Sequence, residues 1–187
     1  MRLVNHAQKF ISEHITQGST ALDLTCGNGY DSLFMAQKVG ARGMLYSIDI
    51  QSRAIQKARD LLRPENCNSQ TKFILSCHTE LSGILPSVVK GKVSAIMLNL
   101  GYLPGGDRQI MTRAKTTVTA VSHAYDWLNC SGGMTVLVYR GHKGGQEENL
   151  ALKNLIFSNE WNCEIELGNQ KDAVSYTHLT LPTICSV

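Results

Sequence analysis

Short apolar runs of strand length alternate with amphipathic helical stretches along most of the chain, and no other feature limits its fold as much. Leu3, Phe10, Ile11 and Ile15 form a helical stripe that stops at Gly18. Residues 21–24 read as a buried strand entering the turn Cys26-Gly27-Asn28-Gly29, and residues 33–37 as a helix closed by Gly40. A second strand covers 44–48 and ends on Asp49. Ser52 then caps a helix that carries Ala54, Ile55, Ala58, Leu61 and Leu62 and stops at Pro64. Strands follow at 73–75 and 93–98, then a helix over 110–128 in spite of its Thr116-Thr117-Val118-Thr119 run. A strand at 133–139, a helix near 147–157 and a strand at 163–167 complete the series. Strands separated by helices pair in parallel through right-handed crossovers. Strands this apolar need cover on both faces of the sheet. The expectation is an α/β fold with a doubly wound, mostly parallel sheet.

At 187 residues the chain suits one domain with a core large enough to need no staple. No apolar run is long enough to span a bilayer, so no membrane partner is expected. The six cysteines include no C-x-x-C pair and no zinc-finger spacing, which predicts scattered reduced thiols and no metal. No signal-like apolar stretch opens the sequence, so the expected compartment is the cytoplasm, an organellar form being the alternative. The net charge of +3 permits a nucleic-acid substrate without demanding one. Residues 174–187 stand apart. They contain no Asp, Glu, Lys or Arg, and the run from Ser175 to Thr183 resembles translated adapter sequence. They read as a non-native tail on a 1–173 domain, with the sheet's last strand missing or replaced. The other reading is an edge strand, which Thr, Tyr, Leu and Ile favour.

Ligands of open α/β sheets sit beyond the carboxyl ends of the strands, where strand order reverses. The loop there is Asp23-Leu24-Thr25-Cys26-Gly27-Asn28-Gly29-Tyr30-Asp31. Gly27 and Gly29 let the backbone turn sharply and approach a ligand. Asp23 or Asp31 can meet an ammonium, and Asp49 can take both hydroxyls of an adenosine ribose. A nicotinamide dinucleotide site needs G-x-G-x-x-G, and Ser32 stands where the third glycine belongs. Asp31 near a helix start also repels a pyrophosphate. S-adenosylmethionine carries no phosphate and suits the two acids, so this loop favours a methyltransferase over a dehydrogenase. Cys77 and His78, just past the third strand, face the same cleft and can flank an adenine.

Asn99-Leu100-Gly101-Tyr102 resembles the Asn-Pro-Pro-Tyr motif of methyltransferases that act on amines. Methyl transfer from a sulfonium needs a neutral nucleophile with its lone pair aimed at the methyl carbon. The Asn99 oxygen and a backbone carbonyl can accept the amine hydrogens and fix that direction. Tyr102 can stack on a base. No dedicated strong base is required by this reading, because the departing proton becomes acidic once the amine is methylated. The stretch 103–107 and the loop Tyr139-Arg140-Gly141-His142-Lys143-Gly144-Gly145 line the same rim, where His142 either orients substrate or closes a turn. Arg108, Arg113, Lys115, Arg140 and Lys143 face only Asp107 and Asp126 in this part of the chain. A phosphate-bearing substrate fits such a rim.

Taken together, residues 23–31, Asp49-Ile50-Gln51, Asn99-Leu-Gly-Tyr-Leu-Pro-Gly-Gly-Asp107 and 141–145 resemble one family. It is the class I S-adenosylmethionine-dependent group labelled "putative rRNA methylase" and associated with tRNA 5-(aminomethyl)-2-thiouridine methyltransferases. The resemblance runs from about Val4 to Asp172, and 99–107 is its most specific part. It implies a Rossmann-like fold and methylation of the aminomethyl nitrogen on a modified wobble uridine in tRNA. It implies cofactor contacts at Asn28, Asp31, Asp49, Gln51 and His78, to which the loop reading adds Thr25, Gly27, Gly29 and Cys77. Catalytic roles fall to Asn99 and Tyr102, and substrate contacts to Leu100, Gly101, Asp107 and His142. The family more often has proline where Arg140 and Lys143 stand. Alternatives are an rRNA base or small-amine methyltransferase, or a non-catalytic cofactor-binding interaction module. A homodimer is one candidate assembly.

Overall fold

The computed structural model describes residues 3–167 and, as backbone, 173–180. Helix α1 (Leu3–His14) leads into β1 (Thr20–Asp23), α2 (Tyr30–Val39), β2 (Met44–Asp49), α3 (Ser52–Leu62) and β3 (Thr71–Leu75). A short helix α4 (Leu81–Ile84) and a 3-10 turn (Ser87–Val89) precede β4 (Val93–Leu100). Then come α5 (Ala114–Tyr125), β5 (Leu128–Tyr139), α6 (Gly145–Ser158), β6 (Asn162–Leu167) and β7 (Ala173–Thr180). The strands form one sheet in the order β3-β2-β1-β4-β5-β7-β6. The first five are parallel, and β7 runs antiparallel to both β5 and β6.

Alternation along the strands divides the core into two layers. Leu22, Ile48, Ile96 and Leu98 pack with Val121 and Ala124 of α5 and Leu152 and Ile156 of α6. Ala21, Leu45, Ala95 and Met97 pack with Phe10 and Ile11 of α1 and Met35 and Val39 of α2. The doubly wound expectation holds, since successive strand residues bury on opposite faces against different helices. Strand order reverses between β1 and β4, which places the loops after these strands side by side.

Some details differ from the sequence reading. Helix α5 starts at Ala114 rather than at 110, because residues before it are held as an extended loop: Met111 bridges Tyr102, and Thr112 N–H donates to the Gly101 carbonyl at 2.8 Å. Its threonines are tolerated because Thr116 and Thr119 hydroxyls donate back to the carbonyls of Arg113 and Lys115. Gln51, not Ser52, is the cap residue of α3. Cys26, Cys67, Cys77 and Cys163 are free thiols, whereas Cys130 is disulfide-bonded, against the all-thiol expectation.

Part of the stretch read as a tail lies within the sheet. The boundary placed at 173/174 falls inside the sheet, because Ala173–Thr180 is inserted as β7 between β5 and β6. Its Val, Tyr, Thr and Leu residues favour a strand. Residues 181–187 of the proposed tail lie outside the described residues.

Candidate active site

A cleft of about 930 Å³ opens at the carboxyl ends of β1, β2 and β4. It is lined by Thr25, Gly27, Asn28, Asp31, Asp49, Gln51, Cys77, His78, Asn99, Leu100, Gly101, Tyr102 and His142, so nearly all the expected site residues converge there. Gly29 and Asp107 do not line it. Gly29 has φ +88°, and a Cβ there would sit 2.6 Å from the Cα of Ala58 in α3. Its missing side chain therefore serves loop-to-helix packing rather than ligand approach. Asp107 is exposed, and its Oδ1 accepts the Gln109 N–H at 2.8 Å in a surface turn.

The two acids considered for an ammonium separate clearly. Asp23 is buried behind the loop, where it accepts the Ser32 hydroxyl and the Thr25 N–H. Burial, with the nearby Asp31 charge, pushes its carboxyl up to about 7. It braces the loop and is not a cleft group. Asp31 is a cleft group, with Oδ1 accepting from Gln8 Nε2 at 2.7 Å and Oδ2 accepting from Asn99 Nδ2. No local sequence signal marks Gln8, because α1 and α2 meet only in the folded protein.

Asp49 closes the floor. Its Oδ2 accepts the Gly27 N–H and its Oδ1 the Gln51 N–H, both at 2.9 Å. Burial raises its pKa, opposed by those two N–H donors and by His78. Each oxygen retains a lone pair for a further donor, so the carboxylate can clamp the loop and still take hydroxyls. His78 is held by a backbone hydrogen bond with Leu24, its pKa is lowered by burial, and its Nε2 is buried in the same cleft without a hydrogen-bond partner among the described residues. An acid with spare acceptors, an orphaned ring nitrogen and a second acid at Asp31 fit an adenosine joined to an amino acid. Nothing in this set favours phosphate.

The acceptor side is built on β4. The Asn99 backbone N–H donates to Thr25 Oγ1 at 2.6 Å, locking the two loops together. Its amide nitrogen is committed to Asp31, which leaves Oδ1 buried in the cleft without a hydrogen-bond partner among the described residues. A buried acceptor left open costs about 1–3 kcal/mol, so its retention points to a ligand donor. Tyr102 lies edge-on to His142, ring centroids 6.3 Å apart, with the Arg108 guanidinium 5.4 Å from its ring.

Behind this loop is a network that the sequence reading missed. Glu148, in the first turns of α6, is fully buried. It accepts from Thr117 of α5 through Oε1 and from Thr112 through Oε2, the latter at 3.0 Å. Thr112 Oγ1 in turn accepts the Gly101 N–H at 2.8 Å. The network fixes the loop at 101–112, yet Glu147-Glu148 in sequence looks like ordinary N-terminal helix charge. Among the described residues no cluster of His, Cys, Asp or Glu suits a metal, and no helix is long and apolar enough to cross a membrane.

Comparison with known proteins agrees with this architecture. The family model described as "Putative rRNA methylase" matches residues 45–179. A protein of Arabidopsis thaliana named tRNA (mnm(5)s(2)U34)-methyltransferase, chloroplastic, is 37% identical over 145 residues, 72% of this chain and 51% of the relative. The chain thus spans about half the length of that curated relative. A solved "putative rRNA-methylase" of Clostridium thermocellum superposes with a TM-score of 0.87 at 28% identity, covering 95% of this chain and 96% of that one. A "putative methyltransferase" of Streptococcus mutans, solved in complex with SAH, gives 0.79 at 26% identity, covering 96% and 99%. The chain belongs to the "Putative rRNA methylase" family, and its sheet has the class I S-adenosylmethionine-dependent methyltransferase fold.

Proposed function

We propose that this chain is an S-adenosylmethionine-dependent N-methyltransferase whose acceptor is the aminomethyl group of a modified wobble uridine, 5-aminomethyl-2-thiouridine, in tRNA. The observation that carries the reading is the Asn99 side chain. Asp31 holds its NH2, so the bare Oδ1 is the atom presented to a donor in the cleft. An amine with N–H to give is the complementary ligand, and accepting that hydrogen turns the nitrogen lone pair in a fixed direction. The name of the Arabidopsis relative supports a wobble-uridine substrate. Tyr102, 38% exposed and flanked by Arg108, offers a stacking face for an unstacked base. Arg113 on the cleft wall suits a phosphate.

For the cofactor, Asp31 is the group to meet the ammonium and Asp49 the ribose hydroxyls, with Gln51, Cys77 and His78 beside the adenine. When bound, S-adenosylmethionine supplies a methyl group on a sulfonium. Asp49→Ala is expected to weaken cofactor binding by roughly 1.5–3 kcal/mol, the range for hydrogen bonds to a charged group. Calorimetric titration of the folded variant reads this directly, and unchanged affinity removes Asp49 from the site.

The substrate assignment is tested by incubating the protein with labelled cofactor and tRNA bearing 5-aminomethyl-2-thiouridine. Mass spectrometry of the digested nucleosides should show one added methyl on that nucleoside and none on unmodified uridine. Label found in rRNA or on a base amine instead overturns the assignment.

A further inference from the structure

We infer that Lys57 of α3, a residue outside the cleft lining, orients the Asn28 amide so that its NH2 receives the carboxylate of the bound cofactor. The inference rests on the cofactor placement proposed above, with Asp31 at the ammonium. S-adenosylmethionine carries its carboxylate and its ammonium on one carbon, so both groups meet the same stretch of wall. Asn28 and Asp31 share that stretch, on the loop after β1 and in the first turn of α2. Asp31 and Asp49 are acids, and the carboxylate needs a donor that neither can supply.

The loop meets α3 at three successive points. Cys26 Sγ lies 4.0 Å from the Ala54 carbonyl oxygen, Lys57 Nζ donates to Asn28 Oδ1 at 2.9 Å, and Gly29 packs against Ala58. The middle contact decides which way the Asn28 amide is turned. An ammonium only donates, so the amide atom that it meets is the oxygen. That leaves the NH2 as the group Asn28 has to offer a ligand, on a side chain that lines the cleft.

The surroundings of Lys57 suit this use of its charge. Lys57 is half-buried, whereas Arg53, Gln56, Arg59 and Asp60 on the same helix are exposed. Asp60, the acid one turn further along, is engaged by Arg63 at 3.2 Å and by Gln56 at 3.0 Å. Lys57 thus turns its ammonium toward a neutral amide in the cofactor loop. A cation on the amide oxygen polarises the group and makes its N–H bonds better donors to an anion. The positive charge also offsets Asp31 and Asp49, which would otherwise repel a carboxylate entering the cleft.

The test is calorimetric binding of S-adenosylmethionine and of its decarboxylated form, which keeps the amine and lacks only the carboxylate. Wild type is compared with Lys57→Met, Lys57→Arg and Asn28→Asp. Methionine keeps the apolar stem of Lys57 without its charge or its donors. For Lys57→Met the expected loss is about tenfold on S-adenosylmethionine and under about twofold on the decarboxylated form, as for a hydrogen bond to a charged group. Lys57→Arg retains a cationic donor and should stay within about threefold of wild type on both ligands. Asn28→Asp keeps a partner for Lys57 but sets an oxygen where the NH2 stood. It should lose S-adenosylmethionine affinity and bind the decarboxylated form at least as well as wild type. Equal losses on both ligands in Lys57→Met would show that the contact merely props the loop, and no loss on either would show that it is idle. Either result overturns the inference, as does a wild type that binds the two ligands equally, and the cofactor placement survives all three. A wild type that binds neither ligand overturns that placement as well.

Discussion

Replacing Asn99 by alanine is expected to lower methyl transfer at least 100-fold while cofactor affinity stays within a few-fold. The side chain contributes two things that alanine cannot: a donor to Asp31 and a bare acceptor in the cleft. The backbone contribution survives, because the link to the cofactor loop runs from the Asn99 N–H to Thr25 Oγ1. The donor side should therefore keep its shape while the acceptor amine loses its aim, and a misplacement of about 1 Å costs on the order of 100-fold. Asn99→Asp makes a sharper control. It sets a second carboxylate against Asp31 where a donor stood, so it should damage cofactor binding as well as turnover. Single-turnover rates and calorimetry on the two variants separate these effects. Turnover near wild type in Asn99→Ala would sink the amine-orienting role, whatever the cofactor affinity shows.

The parts of this site that could be read from sequence are those whose signal is local. Residues 93–98 announce a buried strand by composition, and position along that strand is enough to put Asn99 at its carboxyl end. The glycine turn and Asp49 follow from the same logic on β1 and β2. Interactions between distant segments carry no such mark. Gln8 reaches Asp31 only because α1 lies beside α2, and Glu148 meets Thr112 and Thr117 only because α6 lies beside α5. Gly29 was legible as a necessary glycine, but its reason was not, since the crowding comes from Ala58 on another helix. Asp107 stands in the most specific stretch of the resemblance, which marks it as a substrate contact, and in the fold its carboxylate accepts the Gln109 N–H in an exposed turn. Likeness of a motif identifies a loop, and only geometry distributes roles within it.

Ending the chain at Asp172 is expected to collapse the fold, the reverse of what a dispensable tail predicts. Composition speaks to where residues 174–187 came from, but pairing decides whether the sheet depends on them. Strand β7 is paired along β5 from Tyr139↔Ala173 to Gly133↔Thr180, and along β6 from Leu167↔Val174 to Asn162↔Thr180. Among the described strands β6 has no other partner, so removing β7 detaches it and bares the β5 edge at once. On the order of ten ladder hydrogen bonds at about 1 kcal/mol each is comparable with the whole stability of a domain, about 5–15 kcal/mol. Half of that loss already lowers the melting temperature by roughly 10–20 °C in a domain of this size. The His142 loop leaves the end of β5, so activity should fall with the fold. Tyr176→Pro is the gentler version, since Tyr176 pairs with Val136 of β5 and Ile165 of β6 and proline in a strand paired on both sides removes a backbone donor without shortening the chain. Thermal melting and soluble yield of both variants decide the matter: a truncated protein that stays soluble and melts with wild type would show that the sheet closes without β7 and that the boundary at 173/174 was correctly placed.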